Sequence, residues 1–243
     1  MNRPRALLLD LDETLLDGRG LAESIGQTCA EVAAKHPQLE RARLAAANAE
    51  AWSRYWPEVE MKWVLGALDG AAVMSDVWRR TLRACDCADE SVARFAFETH
   101  RPLARAAHRL FGDAHELLAA ARRANVPLAL ITNGASDTQR EKLAVLQLEP
   151  AFAAIVISGE LGVAKPERAP FEAALRALGI SAGEAWHVGD SASDDVAGAR
   201  AAGVGAVWLN RSGRARRPGE PQPDLEIRSL RELVGPVLTP VYA

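Results

Sequence analysis

Two aspartates, Asp10 and Asp12, directly follow the apolar run at residues 6–9, and Thr14 comes two residues later. An unbroken apolar run of this kind is typical of a strand that is covered on both faces in a parallel sheet. Such sheets bind ligands at the carboxyl ends of their strands, so Asp10 would stand at a functional edge. Two carboxylates this close repel each other unless a cation or a shared proton relieves the charge. A solvated turn in which Thr14 caps the next helix is the alternative interpretation.

Polar residues also follow later apolar runs. Thr132 and Asn133 come at the end of one such run, Asp190 comes at the end of another, and Lys165 lies in a loop. Taken singly, each is better explained as a turn, a helix cap or a solvated lysine. The carboxyl ends of parallel strands meet at one edge of a sheet, however, so the predicted topology would bring these residues to Asp10.

The carboxylates at this edge suit a metal ion. Hard carboxylate oxygens, with no His or Cys among them, are the ligands that Mg²⁺ prefers, and Asp10 and Asp190 would bind it directly. The ion would hold Asp10 ionised, so that it could act as a nucleophile. Asp12 would have to be protonated to donate to a leaving oxygen, and would then take a proton from water.

Hydrogen-bond donors lie in the same clusters. They are the side chains of Thr132, Asn133 and Lys165 and the backbone N–H groups of the turn from Leu11 to Thr14. An anion with several oxygens, bridged to Mg²⁺ and held by a lysine, is a phosphoryl group. This set of residues therefore indicates a site that binds a phosphoryl group and reacts with it.

Composition excludes several other classes of protein. The chain has 243 residues, 49% of them hydrophobic, and a formal net charge of −3, which gives no basic field for nucleic acid. No apolar run approaches the roughly 20 residues of a membrane helix, and the apolar stretch after the basic N-terminus is too short for a signal peptide. Three cysteines, Cys29, Cys85 and Cys87, form neither a disulfide framework nor a zinc motif. We expect a cytoplasmic protein with no membrane or nucleic-acid partner; the sequence sets no oligomeric state.

Residues 21–108 predict helices and no strand, because Ala, Glu, Arg and Leu dominate. The predicted helices are 22–34, 38–55, 73–84 and 91–107, with a weaker segment at 61–68. Pro57 is expected to end the second of them. Four tryptophans in this region, at positions 52, 56, 63 and 78, are most simply the core of a small helical bundle, although one could stack on a substrate.

From residue 112 onward, helices and strands alternate. The predicted strands are 127–131, 153–157, 185–188, 205–209 and an edge strand at 225–227; the predicted helices are 114–124, 136–146, 170–178, 194–202 and 230–234. Right-handed crossovers then favour an α/β fold with a doubly wound parallel sheet and helices on both faces. The Arg-rich stretch 211–223 is expected to be a solvated loop, with a role in clamping a phosphate as the less favoured alternative.

Four segments resemble the motifs of the haloacid dehalogenase superfamily of aspartate-nucleophile phosphohydrolases. They are Asp-Leu-Asp-Glu-Thr-Leu at 10–15, Ile-Thr-Asn-Gly at 131–134, Lys-Pro at 165–166 and the stretch 188–195 with Gly-Asp-Ser and Asp-Asp. Their order and their places after strands make the resemblance specific, and it covers about residues 5–233. It implies a Rossmann-like catalytic core at 1–16 and 109–243 and an inserted helical cap domain at 17–108.

The resemblance implies roles for the acidic residues. Asp10 is the nucleophile and a metal ligand, and Asp12 is the general acid/base, whose backbone carbonyl also binds the metal. Asp190 is a further ligand of the Mg²⁺ cofactor. Asp195, or Asp194 in its place, would stand behind these ligands and support them.

It also implies that Thr132, Asn133 and Lys165 hold the phosphate of the substrate. From its place in the last helix of the insertion, Arg101 is a candidate to bind an anionic group of the substrate, although a solvated arginine is favoured.

A closer likeness, to the N-acylneuraminate-9-phosphatase group, rests on residues 132–134, 137–142, 154–157, 206–210 and 212–213, which we expect to be scaffold. The predicted function is a Mg²⁺-dependent phosphomonoesterase that forms an aspartyl-phosphate from a small metabolite, such as a sugar or N-acylneuraminate 9-phosphate. Nucleoside monophosphates and phosphoglycolate are alternative substrates. A 2-haloacid dehalogenase is less favoured because it needs neither Asp12 nor Asp190. A binding module that recruits partners through the Trp-rich insertion is also less favoured.

Overall fold

The structure is a computed structural model that describes residues 3–235. Within them, six strands form one sheet in which every neighbouring pair is parallel, in the order β5-β4-β1-β6-β7-β8. Two further short strands pair antiparallel with each other. The strands are β1 Ala6–Leu9, β2 Leu16–Asp17, β3 Arg109–Leu110, β4 Leu128–Thr132, β5 Ala154–Ile157, β6 Ala185–Gly189, β7 Gly205–Leu209 and β8 Leu225–Ile227.

Strand β1 lies in the middle of the sheet, and all four of its residues are buried. The chain continues from it to β4 and β5 on one side and to β6, β7 and β8 on the other. The strand order therefore reverses beside β1, and open α/β sheets form their ligand crevice at such a point. The predicted doubly wound α/β fold is confirmed.

Helices cover both faces of this sheet. The helices of the described residues are α1 Gly20–Lys35, α2 Arg41–Val64, α3 Gly70–Ala84, α4 Glu90–Ala107, α5 Gly112–Arg123, α6 Ser136–Val145, α7 Ser158–Leu161, α8 Arg168–Leu178, α9 Ala197–Ala201 and α10 Arg231–Val234, with a π-helical turn at Ala192–Val196; those that pack on the sheet come from the part of the chain after α4. Leu9 and Leu117 belong to the apolar core on one face, and Leu8 and Phe171 to the core on the other. No helix of residues 3–235 is long and apolar enough to cross a bilayer.

Helices α1 to α4 follow one another between β2 and β3 and bury an apolar core of their own. Trp78 lies at the centre of this core without exposed surface, and Trp52, Trp56 and Trp63 pack against a neighbouring cluster. Trp78 thus takes the bundle-core role that the sequence favoured, whereas the other three tryptophans are half-buried and also line a cavity. The division into a catalytic core and a cap at residues 17 and 108 stays a prediction.

Helix α2 corrects one expectation. The sequence predicted that Pro57 ends this helix, and the prediction is wrong because α2 continues to Val64. A proline removes one backbone hydrogen bond, but Pro57 lies on the exposed face, where water can reach the unpaired carbonyl. On the opposite face, Tyr55 and Val59 stay buried against α3, so the packing continues across the proline.

The short pair β2 and β3 was missed by the sequence analysis because two-residue strands leave no periodic pattern. Asp17 of β2 is buried, and its carboxylate accepts hydrogen bonds from Arg19 at 2.7 Å and from Arg109 of β3 at 3.3 Å. The hydrogen bonds from Arg19, above all, hold the pKa of Asp17 well below its usual value. One ion cluster thereby joins the two ends of the helical insertion.

We predict that one buried histidine makes this fold sensitive to acid. His100 of α4 is 2% exposed, and burial lowers its pKa from 6.5 to about 4. Between these two values the unfolded chain binds a proton that the folded chain does not. The free energy of unfolding should therefore fall by up to about 3 kcal/mol as the pH drops from about 6.5 to 4.

The measurement is urea denaturation at several pH values between 7.5 and 4.5. His100→Gln should lose this part of the pH dependence, because glutamine does not take the proton. The matched control is His115→Gln, which changes an exposed histidine of α5 and should keep the wild-type slope. Equal slopes for wild type and His100→Gln would contradict the assignment.

Candidate active site

Asp10 and Asp190 lie just past the carboxyl ends of neighbouring strands, β1 and β6. The Asp10 N–H donates to the Val188 carbonyl at 3.0 Å, which fixes the end of β1 against β6. On the other side of β1, Thr132 ends β4 and Asn133 follows it. The parallel topology therefore places these predicted site residues along one edge of the sheet.

The buried ammonium of Lys165 reaches the same edge from the loop before α8. Its Nζ lies 2.7 Å from Asp10 Oδ1 and 2.7 Å from Asp195 Oδ1. The Asn133 amide holds the backbone of this loop, because Nδ2 donates to the Lys165 carbonyl at 3.0 Å and Oδ1 accepts from the Lys165 N–H at 2.9 Å. One N–H of the Asn133 amide remains for another acceptor.

Three carboxylates surround this single ammonium. Asp10, Asp190 and Asp195, here called the acidic group, each place an oxygen within 4.8 Å of the others. Burial raises the pKa of Asp10 to about 8, and the charges of Asp195 and Asp190 add to the rise, against the effect of Lys165. Burial, and then the charge of Asp195, raise the pKa of Asp190 to about 7. A further cation at this position would relieve the repulsion.

Asp195, rather than Asp194, joins the acidic group. Its Oδ1 accepts hydrogen bonds from Lys165 and from His187 Nε2 at 2.8 Å, and its Oδ2 accepts one from the Ser191 N–H at 2.9 Å. Although burial opposes it, Lys165 followed by His187 holds the pKa of Asp195 well below its usual value. Asp194 bonds the Ser191 hydroxyl instead, at 3.1 Å.

The remaining oxygens fit a hard divalent cation. Asp195 uses both carboxylate oxygens within the protein, whereas Asp10, among the residues that the structure describes, accepts a side-chain hydrogen bond only at Oδ1, from Lys165. Among residues 3–235, no side-chain donor bonds the Asp190 carboxylate, and the Trp208 indole holds the Asp190 carbonyl at 2.8 Å. The acidic group thus offers carboxylate oxygens and no sulfur or imidazole ligand, which is the set of donors that Mg²⁺ prefers.

Asp12 has different partners from Asp10. Lys142 of α6 donates to both of its carboxylate oxygens, at 2.7 and 2.9 Å, and Gln139 Nε2 donates to Oδ2 at 3.0 Å. Burial would raise the pKa of Asp12, but the charge and hydrogen bond of Lys142 outweigh it and lower the pKa. The sequence predicts a protonated Asp12, whereas these partners favour the ionised carboxylate. Residues 137–142 were expected to be scaffold, and Gln139 and Lys142 of this stretch contact Asp12.

The predicted phosphate-binding residues differ in which of their hydrogen-bonding groups remain available for a ligand. The Thr132 hydroxyl accepts a short hydrogen bond from Gln139 Nε2, so its own hydrogen is left to donate. Thr14 is buried in the turn after β1, and its hydroxyl has no partner among the residues that the structure describes. The Leu11 side chain packs into the core beneath the sheet, which leaves only its backbone for a ligand.

Sequence reasoning missed two residues that hold this turn. Glu13 has a left-handed φ of 59°, and its carboxylate accepts a hydrogen bond from the Gly18 N–H at 3.1 Å. Arg211 donates to the Thr14 carbonyl at 2.9 Å and to buried Asp113 at 2.9 Å. The expectation that stretch 211–223 is only a solvated loop is therefore wrong at Arg211. No local pattern could reveal a pair that is 98 residues apart in sequence.

Arg101 is not brought into the acidic group. Its side chain is 55% exposed, its guanidinium lies 4.0 Å from Glu141, and it approaches the Phe97 ring at 5.8 Å. None of these contacts is with the predicted phosphate or metal residues. Its role in binding a substrate stays a prediction.

The helical insertion touches the loop that follows Asn133. A Cβ on Gly134 would lie 2.6 Å from a ring carbon of Trp63, so only glycine allows this close approach. Asp137 accepts the backbone N–H groups of Gly70 and Ala71, at 3.0 and 3.2 Å, at the start of α3. Beside these contacts lies a mostly apolar cavity of about 600 Å³, whose wall includes Trp63.

Comparison with known proteins identifies the family. The family model of haloacid dehalogenase-like hydrolases matches residues 4–203. A phosphoserine phosphatase of Thermus thermophilus is 38% identical over 249 residues, which cover 94% of this chain and 97% of that protein. An N-acylneuraminate-9-phosphatase of Mus musculus is 36% identical over 130 residues, which cover 53% of this chain and 52% of that protein.

A solved structure extends the similarity to the whole fold. The HAD-hydrolase YfnB of Bacillus subtilis, solved bound to magnesium, superposes with a TM-score of 0.66 at 26% identity, covering 96% of this chain and 97% of that one. The sheet order, the inserted helices and the four motifs thus occur together, as the sequence predicted. The chain belongs to the haloacid dehalogenase-like hydrolases.

Proposed function

We propose that this hydrolase is a phosphatase that cleaves phosphomonoesters of small metabolites, with Asp10 as the nucleophile and Asp12 as the general acid/base. The observation that carries the proposal is the contact of Lys165 with Asp10, at 2.7 Å, at the carboxyl edge of the sheet. Lys165, the hydroxyl hydrogen of Thr132 and the second amide N–H of Asn133 are the donors that would bind the phosphoryl oxygens.

The proposed reaction has two steps. First, Asp10 Oδ2 attacks phosphorus, the bond to the ester oxygen breaks, and that oxygen takes a proton from Asp12. Second, water attacks the aspartyl-phosphate and gives its proton to Asp12, which releases phosphate and restores the Asp10 carboxylate. The approach of a phosphate dianion raises the pKa of Asp12 by repulsion, which favours the protonated form that the first step needs.

The same proposal includes Mg²⁺ as cofactor. Asp10, Asp190 and the backbone carbonyl of Asp12 would hold the ion, with Asp195 supporting them through Lys165. When bound, it would neutralise charge on the phosphoryl oxygens and keep Asp10 ionised. The support is the excess of negative charge in the acidic group and its all-oxygen set of donors.

Asp10→Asn tests the nucleophile. We expect kcat for p-nitrophenyl phosphate to fall by about 10³-fold or more, because an amide is a poor nucleophile. The matched control is Asp86→Asn, which changes an exposed aspartate that pairs with Arg43 in the insertion and should keep wild-type activity. A fully active Asp10→Asn protein would contradict the mechanism. Chloride release from a 2-haloacid would instead support the dehalogenase alternative.

Addition of Mg²⁺ tests the metal site without an activity assay. An ion at 100 times its Kd stabilises the folded state by about 2.7 kcal/mol, which is about 5–10 °C in Tm for a chain of this size. We expect this shift for wild type and for Asp86→Asn, and its loss in Asp190→Asn. Differential scanning calorimetry measures it, and a wild-type Tm that does not respond to Mg²⁺ would contradict the site. Activity that survives excess EDTA would contradict a catalytic role for the ion.

The insertion decides which substrate we propose. The similarity to N-acylneuraminate-9-phosphatase covers about half of the chain, whereas the similarity to phosphoserine phosphatase covers 94% of it and therefore most of the insertion. Helices α2 and α3 of the insertion contact the loop after Asn133, next to the proposed phosphate site. We therefore place O-phosphoserine ahead of sugar phosphates, N-acylneuraminate 9-phosphate, nucleoside monophosphates and phosphoglycolate.

A panel of these phosphates tests the preference by release of inorganic phosphate. We expect kcat/KM for O-phosphoserine to exceed each of the others by about 10-fold or more, equivalent to about 1.4 kcal/mol of selective binding in the transition state. Asp10→Asn protein, purified in parallel, measures any contaminating phosphatase. A higher kcat/KM for any other member of the panel would overturn the substrate assignment and leave the reaction class intact.

A further inference from the structure

Helix α6 carries two side chains that reach Asp12 from far along the chain. Gln139 and Lys142 are separated from it by 127 and 130 residues, and they lie about one turn apart, on the same face of the helix. Both are buried, with 0% and 8% exposure. Burying an ammonium is unfavourable unless a carboxylate compensates it, and Asp12 is that carboxylate.

The contacts of Lys142 account for its whole donor capacity. Its ammonium has three N–H groups, which point to Asp12 Oδ1 at 2.7 Å, to Asp12 Oδ2 at 2.9 Å and to Gln139 Oε1 at 2.7 Å. Lys142 therefore has no donor left for a phosphate. Lys165 bonds Asp10 and Asp195 instead.

Gln139 links Asp12 to the proposed phosphate site. Its Nε2 donates to Asp12 Oδ2 at 3.0 Å and also to the Thr132 hydroxyl oxygen. Because Lys142 bonds Gln139 Oε1, the orientation of the amide is fixed and Nε2 must face Asp12 and Thr132. One buried network thus sets the direction of the Asp12 carboxylate and of the Thr132 hydroxyl hydrogen.

We propose that Lys142 and Gln139 are positioning residues, which hold the Asp12 carboxylate in one orientation for proton transfer at the ester oxygen. The proposal rests on the proposed phosphatase function. A carboxylate that is already oriented loses little conformational entropy when the reaction begins, and misplacement by about 1 Å can cost about 10²-fold in rate. The effect should be confined to steps in which Asp12 transfers a proton.

The choice of leaving group separates this role from a structural one. An alkoxide leaves only with a proton from Asp12, whereas p-nitrophenolate is a good leaving group and needs little help. The test compares kcat/KM for p-nitrophenyl phosphate with that for the alkyl phosphate that wild type hydrolyses fastest. For Lys142→Met we expect a loss of about 10²-fold with the alkyl substrate and less than about 5-fold with the aryl one.

Two further variants serve as rescue and control. Lys142→Arg keeps a cation that can bond both carboxylate oxygens, and it should recover at least about 10-fold of the alkyl activity. Glu141→Gln changes the neighbouring residue of α6, which pairs with Arg105 of α4 at 3.5 Å, and should stay within about 2-fold of wild type for both substrates.

A second substitution covers the case in which Lys142→Met does not fold, as judged by circular dichroism. Gln139→Met leaves the ion pair in place but removes one hydrogen bond to Asp12 and one to the Thr132 hydroxyl. The loss at Thr132 acts on both substrates alike, so the alkyl activity should fall by about 10-fold more than the aryl activity. Equal losses with both substrates, or no loss in an otherwise folded variant, would overturn the positioning role. A wild-type protein that hydrolyses no phosphomonoester would overturn the phosphatase proposal as well.

Discussion

The arrangement of the site depends on one buried cation. The Lys165 side chain is 3% exposed and lies between two carboxylates, those of Asp10 and Asp195, which hold the pKa of Lys165 above its usual value although burial opposes this. The Asn133 amide and the His187 imidazole keep this pair of contacts in place, one through the backbone of the loop and the other through Asp195. A single ammonium, however, does not balance three carboxylates. The negative charge that remains makes this edge of the sheet suitable for a divalent cation.

Close packing brings the acidic group together. A Cβ on Gly189 would lie 2.1 Å from Asp195 Cγ, so a side chain at this position would push Asp195 away from Lys165. The π-helical turn Ala192–Val196 then returns the chain towards β6, and the Ser191 hydroxyl caps it by accepting from the Asp194 N–H at 3.2 Å. Close packing against Asp195 thus requires glycine before Asp190, and the sequence motif alone does not reveal this requirement.

The sheet could be predicted because its strands are continuous apolar runs that end in polar residues, and parallel pairing then fixes which residues share an edge. This reasoning located Asp10, Thr132 and Asp190 correctly relative to the strands. It failed where a contact between distant residues decides the outcome. Helix α2 continues past Pro57 because it packs on α3, and Lys142 bonds Asp12 although the two are 130 residues apart in sequence. The family likeness drew attention to residues 137–142, but it supplied no physical reason for them.

The two aspartates of the first motif are two residues apart, yet they belong to different ion pairs. Asp10 bonds Lys165 in the buried part of the site, and Asp12, with a side chain 40% exposed, bonds Lys142. In the protein alone, burial raises the pKa of Asp10 to about 8, and Lys142 holds the pKa of Asp12 below its usual value. These shifts are the opposite of what the reaction needs, because a nucleophile must be ionised and a general acid must be protonated. A cation beside Asp10 lowers the first pKa, and a phosphate dianion beside Asp12 raises the second. In the proposed reaction, the metal ion and the substrate phosphate therefore create the protonation states that catalysis needs, an ionised Asp10 and a protonated Asp12. The site becomes reactive only when both ligands are bound.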